Sequence, residues 1–386
     1  MTCRVALRQP HRRLGVAITV AAAALVPLAQ PAVAGTLVAP LTQLTGVMRG
    51  ISCVPGQCVA VGSELSQAAP KSDEPQAWTL SHGKWDAVVP PGGPLASLTS
   101  VSCPQLGTCI AVGFIKDGAN YGGFAEQLLG GDWHATPLPA GTPILSSVSC
   151  VSTTWCMAVS SVTEVSDADL ALEWNGTSWL QVAPAPGTLE GQYGLGAVSC
   201  VSSTFCMAVG FSSTWGLLAD AWNGSSWSNS LDESGNAGGV DFLSAVSCPT
   251  AAFCAAVGST GGIATFSVAA VWRGGSWTRV STPGESSGYL NDVSCTSAAS
   301  CIAVGTSGTG LDASAPLRAT VLQWQGTAWT SIRGAALGKQ SSLSAVGCSQ
   351  ASWCAAVGAI TTNAGTTVPL VERWNGASLA RMFAPQ

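Results

Sequence analysis

The chain has 386 residues and a formal net charge of −5; 9% of its residues are charged and 47% hydrophobic, with 45 Gly, 15 Cys and 15 Trp. So few charges beside so many Trp exclude a disordered tail protein. No uninterrupted apolar run of about 20 residues follows the first 40, which excludes a multi-span helical membrane protein.

Residues 1–34 read as a secretory signal peptide. Arg4, Arg8, Arg12 and Arg13 form a basic start, Leu14 to Leu28 an apolar stretch, and Ala32-Val33-Ala34 a small-residue cleavage site. Residues 35–386 are then expected as one exported domain. No Cys stands at the cleavage point, so a lipid anchor is not expected, and neither is membrane insertion. Losing the four Arg leaves 11 basic residues against 20 acidic ones, a net charge of −9. That balance argues against nucleic acid, whose phosphates need a basic face.

The remaining sequence is one unit written seven times. Apart from Cys3, the Cys fall into seven close pairs: Cys53/Cys58, Cys103/Cys109, Cys150/Cys156, Cys200/Cys206, Cys248/Cys254, Cys295/Cys301 and Cys348/Cys354. Successive first Cys lie 50, 47, 50, 48, 47 and 53 residues apart. An apolar-Ser step precedes the first Cys in six units; the seventh has Val346-Gly347. An Ala-Val pair follows the second Cys in all seven, then Gly in all but one, where Ser160 stands. Later comes a W-x-G-x-x-W phrase, as in Trp174-Asn175-Gly176-Thr177-Ser178-Trp179. Leu80 and Leu128 replace its first Trp in units one and two, and Leu379 its second in unit seven.

Each unit holds four short strand candidates. In unit four they are Leu195–Cys200, Cys206–Gly210, Leu217–Trp222 and Trp227–Leu231. Alternating apolar and small polar residues suit strands, and Asn-Gly between them is a hairpin cue. Gly, Ser, Thr and Pro interrupt any helical pattern after residue 34. Four strands per unit and seven units predict an all-β, seven-bladed β-propeller, with blades starting near residues 47, 97, 144, 194, 242, 289 and 342. A β-helix, the runner-up, has shorter coils. Two closures are open: residues 35–40 pairing with the last blade, or residues 378–383 completing it.

In an oxidising compartment, Cys five or six positions apart read as disulfides across one tight hairpin. Opposed residues there have Cα atoms about 4.5–5.5 Å apart. The bridges are expected to pin each inner hairpin, not to staple one blade to another. With only His82 and His134 after residue 34, zinc binding is the poorer reading, and neither metal nor cofactor is expected. A two-residue turn at Asn175-Gly176 would pair Trp174 with Thr177 and set both Trp rings diagonally on one face, filling the gap between blades. A second aromatic set, Trp155, Phe205, Phe253 and Trp353, immediately precedes the second Cys. It is the candidate ligand platform, set against the alternative that the rings fold under their own hairpins.

The wording S-C-x5-C-x-A-V-G followed by W-N-G-x-S-W resembles a group of secreted bacterial repeat proteins. The Gly176 and Trp179 positions are also similar to the Asp-box of sialidase-type propellers, S-x-D-x-G-x-T-W, with Trp174 where the Asp belongs. That resemblance implies a propeller; sialidase activity would further need three clustered Arg and a Tyr/Glu pair. Of the seven Arg after residue 34, none falls between residues 50 and 272. No serine-hydrolase order or nucleophile elbow is present, and no catalytic signature emerges.

Fourteen of the 20 acids, Asp117, Asp241 and Asp292 among them, fall in the segments after second and fourth strands. One electronegative face is expected, serving solubility or a basic partner. The sequence therefore predicts an extracellular or cell-envelope monomer that binds a glycan or another extracellular protein. The alternatives are a glycoside hydrolase or polysaccharide lyase of sialidase-like type, and a structural protein of the envelope.

Overall fold

The computed structural model describes residues 46–382, except 66–72, 94, 119, 161–169, 184–193, 212–215, 233–239, 262–264, 284–287, 309–315 and 333–337. The expected signal peptide and residues 35–40 lie outside the described residues. Every described residue that belongs to a regular element is in a strand.

The strands form seven four-stranded antiparallel sheets, each made from consecutive chain. Blade 4 is typical, with strands Gly194–Ser202, Phe205–Phe211, Leu217–Trp222 and Trp227–Asp232. These extend the expected strands by a residue or two at most ends. Blade 7 draws its fourth strand, Leu379–Met382, from its own unit. Of the two closures the sequence allows, its own segment completes the last blade. Inner strands touch their neighbours all round the ring, Gly46–Val54 of blade 1 meeting Gln340–Gln350 of blade 7.

The hydrophobic core is a set of seven inter-blade layers. Between blades 2 and 3, for example, Ile110, Val112 and Ala125 meet Cys156, Leu172 and Trp174. The apolar C-x-A-V stretch of the second strand is explained by this: both of its faces are covered, so alternation gives way to a continuous apolar run.

Each of the seven Cys pairs forms a disulfide within its own first hairpin: Cys53 with Cys58, Cys103 with Cys109, Cys150 with Cys156, Cys200 with Cys206, Cys248 with Cys254, Cys295 with Cys301, and Cys348 with Cys354. Their Cα atoms are 3.9–4.1 Å apart, closer than an unbridged facing pair, because the covalent link draws the strands together. In blades 1, 3, 4, 6 and 7 the two Cys are direct register partners. In blades 2 and 5 the register shifts at this point, so Cys103 and Cys109, like Cys248 and Cys254, are bridged without being paired in the ladder.

As expected, every bridge pins its own hairpin and none links two blades. The second Cys of every pair is in addition buried between blades. Cys58, Cys109, Cys156, Cys206, Cys254, Cys301 and Cys354 are each at most 2% exposed, and each belongs to an inter-blade apolar layer. The second strand is covered on both faces, so its sulfur is a core atom whichever way it points. Cys109 packs with Val59, Val61 and Leu98, Cys254 with Met207 and Leu217, Cys301 with Ala255 and Val257, and Cys354 with Ile302 and Val304.

The outer hairpin also differs from expectation. Its loop has four residues, not two: Asn175 N–H donates to the Ser178 carbonyl, and Asn175 Oδ1 accepts from the Thr177 and Ser178 N–H groups. The Asn side chain thus substitutes for a strand partner inside the turn. The two Trp become direct partners, not diagonal ones, with ring centroids 5.4–6.0 Å apart in blades 3 to 6. The first Trp also ties the outer hairpin to the inner one. Trp222 Nε1 donates to the Ser203 carbonyl at 3.0 Å and Trp324 Nε1 to the Ala298 carbonyl at 3.0 Å.

One bulge recurs in every inner strand. Arg49, Thr99, Ser146, Gly196, Ser244, Asn291 and Ser344 are each an extra residue skipped by the pairing register. The bulge pushes a carbonyl toward the second strand, and there the Gly of the A-V-G phrase sits. A Cβ on Gly113 would run into the Ser97 carbonyl oxygen, and one on Gly258 into that of Phe242. Blade 3 is the exception, where buried Ser160 accepts the Leu170 N–H through Oγ. Gly113→Ala is therefore expected to cost about 3 kcal/mol or more, since the obstacle is backbone. Thermal denaturation of the purified variant checks it; a melting temperature equal to the native one would remove the bulge explanation.

Candidate functional site

Among the described residues, three concavities can be compared. A central channel of about 230 Å³ is lined by all seven inner strands. A hollow of about 520 Å³ lies on blade 2, between its third strand and the linker Thr136–Pro143. A groove of about 400 Å³ runs between blades 7 and 1 at their first hairpins. The largest is the least equipped. Its threonines are already committed: Thr136 Oγ1 accepts from Trp179 Nε1, and Thr142 Oγ1 donates to the Pro139 carbonyl.

The groove between blades 7 and 1 has a cause that can be read residue by residue. The aromatic before each second Cys faces the next blade, where it meets that blade's first-Trp position. Phe253 of blade 5 lies 6.4 Å from Trp324 of blade 6, and the Arg273 guanidinium stands 5.7 Å from its ring. Phe253 is only 3% exposed and belongs to the inter-blade core. Trp155 and Phe205 are half-buried and pack against the layers shared with blades 4 and 5. Trp353 of blade 7 meets Leu80 of blade 1 instead of a Trp. The smaller side chain leaves space, and Trp353 borders it.

Gln57, His82, Gln350 and Arg373 supply the polar rim. Arg373 reaches over Trp353, its guanidinium carbon 5.9 Å from the ring centroid. His82 occupies a left-handed turn position, with φ 51°, beside Gly83. This site thus combines an aromatic ring, two amides, an imidazole and a guanidinium, with Gln57 Oε1 already accepting the Gly107 N–H of blade 2 at 2.9 Å. Among the described residues its lining carries no carboxylate. All four aromatics singled out by the sequence pack between blades, Phe253 fully and Trp155, Phe205 and Trp353 in part; Trp353 also borders this groove. Sequence reasoning did not single out Gln57, His82 or Arg373, although the Leu80 replacement opposite Trp353 was visible.

The channel holds two charges on its lining, Arg49 and Asp292. Asp292 does not lie on a loop face, as the charge pattern had placed it. It lies in the inner strand Gly288–Ser297, where its carboxylate oxygens accept the Val293 and Val346 N–H groups, each at 2.8 Å. Burial pushes its pKa up to about 7 against the pull of those two bonds. Asp241 is paired with Arg279 at 2.7 Å. Seven of the other acids placed on that face lie outside the described residues. Among those described, no three His, Cys, Asp or Glu side chains gather as metal ligands would.

Two further carboxylates are buried between blades. Glu126, in the third strand of blade 2, is fully buried, and no hydrogen bond of good geometry reaches either oxygen. Burial drives its pKa up to about 7, and the Gly92 N–H nearby draws it back only in part. Glu372 of blade 7 is raised by the same cause, opposed by the Arg381 charge. A folded-state pKa above the unfolded value gives stability that is complete below about pH 4.5 and is lost as pH rises through about 7. Glu126→Gln is expected to flatten this loss, by at most about 3 kcal/mol at pH 8. Urea denaturation of native and variant chains at pH 5 and pH 8 checks it; an equal pH dependence in both would show that Glu126 is not the source.

No protein-family model matches the sequence, and neither does any curated protein. Solved structures do match in fold. The structure of YCF48 bound to D1 peptide shares 12% identity at TM-score 0.50, over 78% of this chain and 85% of that one. The RRP9 WD40 repeats share 9% at 0.54, over 82% and 88%. The GH74 xyloglucanase from Xanthomonas campestris shares 12% at 0.59, over 88% of this chain and 54% of that one. At these identities the likeness is to the propeller fold alone.

Proposed function

We propose that this protein is an exported binding module, with residues 1–34 a removable signal peptide, and that it recognises an extracellular glycan or protein segment in the groove between blades 7 and 1. The observation that carries this reading is the replacement of a packing Trp by Leu80, which leaves Trp353 bordering a polar-rimmed groove. An aromatic ring with amides and a guanidinium around it offers stacking and directional hydrogen bonds together. Seven disulfides suit an oxidising compartment. Among the fold neighbours, the YCF48 structure holds a peptide, and a glycan-processing enzyme shares the architecture. Glycoside hydrolysis would call for two carboxylates about 5–10 Å apart. The groove's described lining has none and the channel's has one, Asp292, so binding is the better-supported reading.

A glycan array, paired with an array of peptides from secreted and envelope proteins, tests it. Trp353→Ala is expected to weaken retained ligands about tenfold or more, as loss of an aromatic anchor does. Phe205→Ala, packed between blades 4 and 5, should lower the melting temperature and leave binding unchanged. If Trp353→Ala retains every ligand as well as the native chain, the groove is not the binding site.

A further inference from the structure

We propose that the arc of the central channel beside Arg49 binds a small oxyanion, a site separate from the groove and independent of its reading. The argument starts from the exposed edge of each inner strand. In an antiparallel pair, alternate N–H groups point away from the partner strand. Around the ring, those of Val148, Val198 and Val346 are accepted by a side chain of the preceding blade: Ser100 at 3.2 Å, Ser147 at 3.2 Å and Asp292 at 2.8 Å. By the same register the Ile51 and Val101 N–H groups point the same way. The residues in the acceptor position are here Ala345 and Gly50, which have no side-chain oxygen. A Cβ added at Gly50 would lie 3.4 Å from the Val101 nitrogen, which places the missing acceptor.

The Val246 N–H of blade 5 lacks an acceptor as well, since Ala197 stands in that position; only at Ile51 and Val101 do two such donors sit on neighbouring blades, and both line the channel together with Arg49. Arg49 is exposed to the channel, and no described residue forms an ion pair with it. Asp292 does not neutralise this arc: it stands on blade 6, with blade 7 between, and both its oxygens already accept N–H groups. Unmatched backbone N–H groups on neighbouring strands beside a guanidinium offer hydrogen bonds and charge to an anion. A volume of about 230 Å³ suits a tetrahedral oxyanion or a short carboxylate, not a polymer.

The test titrates the purified full domain with inorganic phosphate, sulfate and malonate, following the Ile51 and Val101 amide resonances and the heat of binding. One saturable site that moves both amides is expected for at least one of the three. Arg49→Gln should weaken it about tenfold or more, as expected for a hydrogen bond to a charged group. Ala345→Ser supplies an acceptor for the Ile51 N–H and should weaken binding several-fold with the melting temperature held or raised. Lys339→Gln removes a distant positive charge and should change nothing. The proposal is overturned if none of the three anions moves these amides up to about 10 mM, or if Arg49→Gln binds as the native chain does.

Discussion

The whole ring depends on covering the inner edge of each sheet. An unpaired strand edge carries a row of N–H and C=O groups that must be satisfied or they invite wrong pairing. Here each blade hands one hydroxyl to the next: Ser52 accepts the Cys103 N–H, Ser102 that of Cys150, and so on to Ser294 and Cys348, six bonds of 2.9–3.1 Å. At about 1 kcal/mol each they contribute modestly. Their larger effect is to fix the stagger of neighbouring blades, since each hydroxyl has one N–H to meet. At the closing contact the hydroxyl is gone: a Cβ on Gly347 would lie 3.0 Å from Cys53 Sγ and 3.2 Å from Cys53 N.

The same economy of contacts explains why repeated and unrepeated residues play different parts. Residues that recur from blade to blade serve blade geometry: the disulfide of every blade pins the first hairpin and sets its second sulfur into the core, the Gly of A-V-G admits the bulge in six blades, and the Trp pair locks the outer hairpin in blades 3 to 6. Function is sought where a column breaks. Leu80 breaks the Trp column beside Trp353 and opens the groove, while Gly50 and Ala345 leave the N–H groups of two neighbouring blades without a side-chain acceptor beside Arg49.

Much of this was legible beforehand because a sevenfold repeat reports its own architecture. The paired Cys columns fixed the bridges, since the correct partner of each thiol is the nearest one. The burial of Cys109, Cys254, Cys301 and Cys354 between blades was not legible, because it depends on the layer that the adjoining blade supplies. The strands of blade 4 were located to within a residue or two at most ends, because Gly and Asn-Gly punctuate them. The outer turn was misjudged: Asn-Gly is also compatible with a four-residue loop when the Asn side chain caps it, and the pairing of Trp174 changed accordingly. Asp292 was assigned to a loop for a similar reason. The inner strand begins earlier than its apolar pattern shows, because the bulge interrupts the alternation.

Composition and spacing alone determined the number of blades, their strands and the seven bridges, since these follow from local periodicity and from the short reach between paired Cys. Only the tertiary structure decided which aromatics are covered and which N–H groups have acceptors. Whether Phe253 is sealed and Trp353 borders a groove depends on the residue presented by the next blade. That neighbour lies about fifty positions away in the chain, and no local pattern reaches so far.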